Sequence, residues 1–492
     1  MSNLILAIDQ GTTSSRAMIF APNGTVIAKA QQEFTQYYPA NGWVEHDPEE
    51  IWQVTAKVCR EALAQLENPE QVVGIGITNQ RETVVVWDKK TGEAVYPAIV
   101  WQDRRTAEIC QKLQQQGREE FINDKTGLLL DPYFSATKIA WILERTQNGR
   151  GRARRGDLAF GTIDSWLIWK LTGGEMHVTD ATNAARTMLF NIHTQQWDKE
   201  LLQLFNIPQA MLPQVLDCAA NFGEAKAGLG RILPIAGVAG DQQAAVVGQA
   251  CFAKGMVKST YGTGCFALMN LGATAIKSRN RMLTTVAYRI GGKTTYALEG
   301  SIFIAGAAVQ WLRDKLGIIR NAAETEGLAR SLESNRGVYM VPAFTGLGAP
   351  YWDPDARGIL YGLTRDTGKA EIARAALEAV CYQTRDLFEA MAEDAGHRPA
   401  TLRVDGGMTV NEWLLQALAD IVDVPVQRPA MIESSALGAA RLAGLQLGLY
   451  RDLEDLASYW IADRSCQPQL SASERQRRVS GWQNAVKKCR VE

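Results

Sequence analysis

The chain has 492 residues, 46% of them hydrophobic and 21% charged, a composition suited to two or three globular domains with sizeable cores. With 52 basic and 53 acidic residues the formal net charge is -1, so no global field recruits nucleic acid or an anionic membrane surface. Eight cysteines without CxxC spacing read as reduced, buried thiols of a cytoplasmic protein, and four dispersed histidines argue against a histidine metal site.

Residues 4–8 are continuously apolar and predict a buried strand that stops on a bare acid, Asp9. No basic segment precedes them, so no signal peptide is expected. "TTSSRAMIF" and "GTVIAKAQQEF", joined by "PNG" at 22–24, predict two more strands, and the chain opens as a β-meander rather than a βαβ unit. In "DPEEIWQVTAKVCREALAQL", Asp47 as N-cap, Pro48 at the first helical position and acids in the first turn predict a helix. "VVGIGITNQ" (72–80) predicts the next buried strand, and "ETVVVWDKKTGEAVYPAIVW" predicts strands around a Lys-Thr-Gly turn. Helical patterns dominate from about 103 to 210. Within them "GRGRARRG", with Arg150, Arg152, Arg154 and Arg155 and no aromatic residue, predicts a solvated loop.

A second β-rich opening follows near 235, with "IAGVAGDQQAAVVGQ" and then "KGMVKSTYGTGCFALMNLG". "TYGTGCFALMNL" echoes "DQGTTSSRAMIF", an internal pseudo-repeat that puts a domain boundary near 250 and divides the chain into 1–249 and 250–492. "SIFIAGAAVQW" (301–311) is too short to cross a bilayer. Later segments predict long helices at 370–396, a strand–GG–helix unit in "TLRVDGGMTVNEWLLQALADI", a Gly/Ala-rich helix at 434–447 and a polar helical tail from 465. No low-complexity linker separates the halves, so they are expected to share a cleft.

The familiar phosphate motifs are absent. "GLTRDTGKA" has the wrong spacing and ending for a Walker loop, "GTGCFA" and "GLGAPY" lack the third glycine of a dinucleotide fingerprint, and no GxSxG elbow occurs. Three glycine turns of another style remain: "DQGTTSS", "STYGTGC" and "VDGGMTVN". Tight turns without bulky side chains let successive backbone N–H groups converge on an anion, and Thr or Ser hydroxyls add donors. Each alone also reads as an ordinary hairpin. Together, two such turns facing across a cleft suit a triphosphate, with Asp9 placed to hold Mg²⁺ through its waters. Asp241 ends an apolar strand and opens an Ala-rich helix, where it serves either as N-cap or as acceptor of a substrate hydroxyl proton. Arg81 and Glu82 close a buried strand and read either as a surface ion pair or as a donor–acceptor pair for a polyol.

The ordered set "DQGTTSSRA", "TNQRET", "VWQDRRT", "DPYFSATK", "TDATNAARTMLFN", "GDQQAA", "YGTGCF", "GLGAPYWD" and "DGGMTVNEWLLQALAD" resembles the FGGY carbohydrate kinases, from about residue 3 to about 460. Within them it is most similar to the members that phosphorylate glycerol. The resemblance implies an α/β fold of two ribonuclease H-like, actin-like ATPase domains with mixed sheets, and an active site in the cleft between them. It implies that Thr12, Thr13, Ser14 and Arg16 form the first phosphate turn, and Gly262, Thr263 and Gly264 the second. Gly306, Gln310, Gly407 and Asn411 match ribose and base contacts. Arg81, Glu82, Tyr133, Asp241 and Gln242 match the glycerol set, with Trp101 and Phe266 as its apolar wall. Asp241 matches the catalytic base, and Asp9 with Asp241 flanks the Mg²⁺ of Mg·ATP. The implied activity is ATP-dependent formation of sn-glycerol 3-phosphate in a homodimer or homotetramer. Kinases of pentuloses, pentitols or other polyols are the alternative within the family, and an ATP-driven conformational switch is the alternative outside it. Some members bind fructose 1,6-bisphosphate at the place of "GEAKAGLGRIL" (223–233), where Arg231 is retained in a different loop. "CAANFGEAK" carries no histidine, so a phosphohistidine switch is not expected there.

Overall fold

The apolar run that opens the chain becomes β1 (Leu4–Gln10), in which every residue is buried except the half-buried Asp9. β2 (Ser14–Phe20) and β3 (Val26–Glu33) return antiparallel to it as a meander, with the turn between them at Gly24 in the left-handed region. On the other side β4 (Val72–Asn79) runs parallel to β1, and β6 (Leu233–Gly240) runs parallel to β4, edged by the short β5 (Glu224–Ala225). The strand order is β5-β6-β4-β1-β2-β3. Asp9 and Ala239 both sit opposite Thr78, so Gln10, Asn79 and Gly240 end three parallel strands side by side, with Asp9 one residue before that edge. The carboxyl end of an open α/β sheet is where such folds bind ligands. The computed structural model that gives these coordinates describes residues 3–353 and 355–490.

The second sheet repeats the plan. Its strands are β7 (Met256–Tyr261), β8 (Cys265–Gly272), β9 (Leu283–Ile290), β10 (Lys293–Ile302), β11 (Thr401–Asp405), β12 (Val426–Pro429) and β13 (Ala462–Cys466). Their order is β9-β10-β8-β7-β11-β12-β13. β10-β8-β7-β11-β12 has the same sequence of antiparallel and parallel pairings as β3-β2-β1-β4-β6. The short echo between the two glycine hairpins in sequence is therefore an echo of whole sheets. Two mixed sheets flanked by helices make the actin-like ATPase architecture.

One face of the first sheet packs on α1 (Pro48–Leu63) and α2 (Ile163–Leu171), which bury Ile51, Val54, Val58, Trp166 and Leu167 against Leu6, Ile8 and Ile77. Asp47 caps α1 by accepting from the Glu49 N–H at 2.8 Å. α3 (Asp241–Gly248) leads from the first sheet towards the second. The second sheet packs with α4 (Gly306–Asp314), α5 (Lys369–Ala395), α6 (Glu412–Val422) and α8 (Ala472–Cys489). α7 (Ser434–Gln446), although late in the chain, lies on the first sheet, with Ala436, Leu437, Ala440 and Ala443 against Ile5, Ala7 and Met18.

Two segments differ from expectation. Gly149–Arg155 is a helix rather than a solvated loop, because Arg152 pairs with Asp88 at 2.5 Å and Arg150 reaches the carbonyls of Phe205 and Asn206. The tail first adds β13 beside β12 and turns helical only at Ala472. All eight cysteines are free and buried, and among the described residues no helix is long and apolar enough to cross a membrane.

α3 and α7 cross at backbone distance. A Cβ on Gly438 would lie 1.8 Å from the Ala244 carbonyl oxygen, and one on Gly248 would lie 1.9 Å from that of Ser434. Backbone meets backbone there, so neither side can yield by changing a rotamer. Gly438→Ala is expected to destabilise the protein by about 3 kcal/mol, the upper part of the overpacking range. Thermal unfolding of the purified variant checks this, and an unchanged Tm would contradict the crossing.

Candidate active site

The first glycine turn closes with the Gly11 N–H donating to the Ser14 carbonyl at 2.9 Å. The Thr12 hydroxyl accepts from the Trp101 indole at 3.0 Å, which ties the turn to the aromatic residue expected beside the polyol. Arg16 stands opposite Asp9 in the β1–β2 ladder and is ion-paired with Glu433, the residue before α7. Burial pushes the Asp9 carboxyl up, Arg16 opposes this, and the nearby Asp241 and Glu433 add to it, leaving Asp9 at about 6.

Beyond β4 the chain turns sharply at Glu82, whose φ is 61°, while the Thr83 N–H donates to the Arg81 carbonyl at 2.7 Å. A non-glycine residue in this region costs about 1–3 kcal/mol unless its surroundings impose it. Here Ser135 Oγ donates to the Glu82 carbonyl at 2.9 Å and Arg186 Nε to its Oε1 at 2.6 Å. Arg81 meets Glu299 of β10 in a two-pronged pair, Nη1 to Oε2 at 2.6 Å and Nη2 to Oε1 at 3.0 Å, and Arg186 Nη2 joins Glu299 at 2.9 Å. None of the four side chains is more than 3% exposed.

Asp241 heads α3 directly after β6. Its Oδ1 accepts from the Gln242 N–H at 2.7 Å and faces Arg81 Nε at 3.3 Å. Its Oδ2 has no protein partner among the described residues, and the side chain remains 34% exposed. Tyr133 approaches the same arginine, its hydroxyl 3.4 Å from Nη2, and its ring meets Trp101 edge-on at 5.6 Å. Phe266 is half-buried on β8, on the second sheet's side, opposite Thr260 and Ser301.

The second glycine turn mirrors the first, with the Gly262 N–H donating to the Gly264 carbonyl at 2.9 Å. Its outer face and α4 line a cavity of about 420 Å³ that brings together Gly262, Thr263, Gly306, Gln310, Gly407 and Asn411. That volume lies in the range of small-molecule sites. Arg313, Glu326 and Val410 share its wall and carried no sequence signal of their own. Arg231, by contrast, turns back into its own domain, donating to the Pro69 carbonyl and pairing with Glu70. Among the described residues no three His, Cys, Asp or Glu side chains cluster as a metal cage.

The N-terminal domain of the FGGY family of carbohydrate kinases matches residues 4–248, and its C-terminal domain matches residues 257–447. The chain belongs to this family. It is 60% identical over its whole length to a protein named glycerol kinase from Ectopseudomonas mendocina, also covered completely. It is 63% identical, over 98% of this chain and 97% of the relative, to one of the same name from Alcanivorax borkumensis. The crystal structure of Plasmodium falciparum glycerol kinase with ADP superposes with a TM-score of 0.96, at 36% identity over 100% of this chain and 99% of that one.

In this FGGY chain three residues that no motif singled out, Arg186, Glu299 and Lys258, lie against Glu82, Arg81 and Gln242. Arg186 lies inside "TDATNAARTMLFN", Glu299 is a single acid within the buried stretch of β10, and Lys258 is a single cation within β7. Burial works against the Glu299 charge, but Arg186 and Arg81 overcome it and hold the carboxyl down to about 2, from an ordinary 4.5. Glu82 goes the other way, because burial outweighs Arg81 and Arg186 and raises it. A lowered folded value stabilises the fold above the unfolded value of 4.5 and loses that contribution as pH falls towards 2. Glu299→Ala leaves two buried arginines short of a partner and is expected to cost about 3–5 kcal/mol at pH 7. Denaturant titrations should show that deficit constant down to pH about 5 and shrinking below about 4.5. A pH-independent deficit across that range would contradict the assignment.

Proposed function

We propose that the protein transfers the γ-phosphoryl group of ATP to a terminal hydroxyl of glycerol, giving sn-glycerol 3-phosphate. The observation that carries this reading is the placement of Asp241, with one carboxylate oxygen anchored by Arg81 and the Gln242 N–H and the other open. An oxygen so presented is built to accept a proton. The sixty-percent relatives that share the chain's whole length are named for glycerol, which supports the choice of polyol.

In this reading Arg81, Glu82, Tyr133 and Gln242 bind the glycerol hydroxyls, and Trp101 and Phe266 cover its carbon chain. That set of groups favours a small three-carbon substrate over a pentulose or pentitol. The cavity beside Gly262, Gly306, Gln310, Gly407 and Asn411 holds the nucleotide. Thr12, Thr13, Ser14 and Arg16 meet its phosphate tail from one side, and the Gly262–Gly264 turn with Thr263 meets it from the other. Asp241 Oδ2 takes the proton of the attacking hydroxyl as its oxygen approaches phosphorus in line with the leaving ADP. The transition state is loose, so positioning and neutralisation of oxygen charge supply most of the rate.

Asp9 and Asp241 fit a magnesium site of the kind that uses two carboxylates, waters and substrate phosphates rather than a protein cage. The neighbouring Asp241 raises the cost of ionising Asp9, a repulsion that a cation between them relieves. Bound Mg²⁺ would neutralise the phosphate oxygens. The free, buried thiols are in keeping with work in the reducing cytoplasm.

Glycerol-dependent ADP release, measured against a panel of polyols, tests the reading, and preference for a pentulose or pentitol would replace it. Asp241→Asn is expected to retain ADP binding while turnover falls about a hundredfold to ten-thousandfold, the usual share of a general base. Near-normal turnover would remove Asp241 from that role. Asp9 must lose its proton to serve the metal, so Mg²⁺-dependent ADP affinity should fall by up to about tenfold per pH unit below about 6. In Asp9→Asn only the slope due to the phosphates themselves should remain. Calorimetric titrations from pH 5 to 8 compare the two, and identical slopes would contradict the metal role.

A further inference from the structure

Gln242 and Gln243 follow Asp241 on α3, and the oxygen of each side-chain amide faces a cation. Arg81 Nη1 donates to Gln243 Oε1 at 3.1 Å, and Gln243 Nε2 is used up on the Val286 carbonyl at 3.3 Å. Lys258 Nζ donates to Gln242 Oε1 at 2.5 Å, while Gln242 Nε2 has no protein acceptor among the described residues. Lys258 is fully buried, although it projects from β7 in the middle of the second sheet, beside Leu268 and Arg403 in the ladder. It therefore reaches across the cleft to a residue of the first domain.

We propose that Lys258 is a positioning residue that locks Gln242 as a hydrogen-bond donor, so that the second domain dictates which polyol oxygen pattern the first domain accepts. The inference rests on the proposed glycerol kinase reading. An ammonium group has three donors and no acceptor, so the amide oxygen must face it and the amide NH₂ must face away. Burial lowers the Lys258 ammonium from its ordinary range, and the nearby Asp405 and Asp241 oppose this. With Asp241 accepting from the reacting hydroxyl, Gln242 Nε2 is left to read a lone pair on a substrate oxygen. A site built to donate to an oxygen rejects an analogue without it, because the donor is then stranded. The lock holds only while β7 is seated beside α3, so recognition and domain approach are one event.

Steady-state kinetics on glycerol, propane-1,2-diol and propane-1,3-diol test this, since each diol lacks one oxygen. Lys258→Met keeps the stem and removes the donor. It is expected to raise KM for glycerol about tenfold to a hundredfold with a smaller change in kcat, and to leave the ADP Kd unchanged. The preference for glycerol over one of the two diols should collapse, and over the same diol in Gln242→Ala. The double variant should be no worse than Gln242→Ala alone. Equal losses on glycerol and both diols, or additive losses in the double variant, would overturn the proposal. Should Lys258→Met fail to fold, Gln242→Glu decides, because the carboxylate keeps Lys258 a partner but offers the substrate no donor. It should lose as much as Gln242→Ala, and a normal glycerol KM would overturn the lock. A wild type inert towards glycerol would overturn the function and this inference together, whereas an active wild type with indifferent variants overturns this inference alone.

Discussion

The arrangement of the cleft depends on the two-pronged pair between Arg81 and Glu299. The arginine ends a strand of the first sheet, and the glutamate sits in a strand of the second. Both are shielded from water, and Arg186 and Glu82 complete a set of two positive and two negative groups. Charges withdrawn from water are tolerable only while their partners stay in place. Arg81 and Glu82, the pair proposed to meet the polyol, therefore owe their geometry to a residue of the second sheet. The sharp turn at Glu82 is held by the same set, since Arg186 grips its carboxylate and Ser135 its carbonyl.

Around that pair the two sheets divide the work by what their strand ends offer. The first sheet ends in side chains, with Asp9 next to last in β1 and Arg81 and Asp241 just past β4 and β6. The second presents backbone, with the turn after β7 and the Gly406–Gly407 turn after β11 opening on the nucleotide-sized cavity. Phosphate suits backbone donors, and proton transfer needs a carboxylate. The repeated topology places these two kinds of chemistry face to face.

Local signals carried the strands, the capped helix at Pro48 and the glycine turns, because each rests on neighbours in sequence: a pleat, an N-cap, a hairpin. Asp9 was legible as an acid that ends an apolar run. Glu299, Arg186 and Lys258 were not legible, since each gains its role from a partner more than a dozen residues away and looks ordinary within its own strand or motif. The arginines of Gly149–Arg155 misled for the same reason, because the groups that order them, Asp88 and the carbonyls near 205, come from other segments. The position of α7 was equally hidden. Its alanines and glycines predicted a helix, but nothing in them names the sheet they lie on.

That helix has a consequence for how the protein is made. Ile5, Ala7 and Met18 leave the ribosome long before their cover, Ala436 to Ala443. At bacterial-like synthesis speeds of about 5–20 residues per second, the last strand of the first sheet waits roughly 10–40 s for that helix to emerge. During this interval the nascent chain exposes an apolar sheet face that only its own future can close, a natural station for a holding chaperone. Truncation before α7 leaves the same face bare, so the amino-terminal sheet draws part of its own core from the far end of the chain.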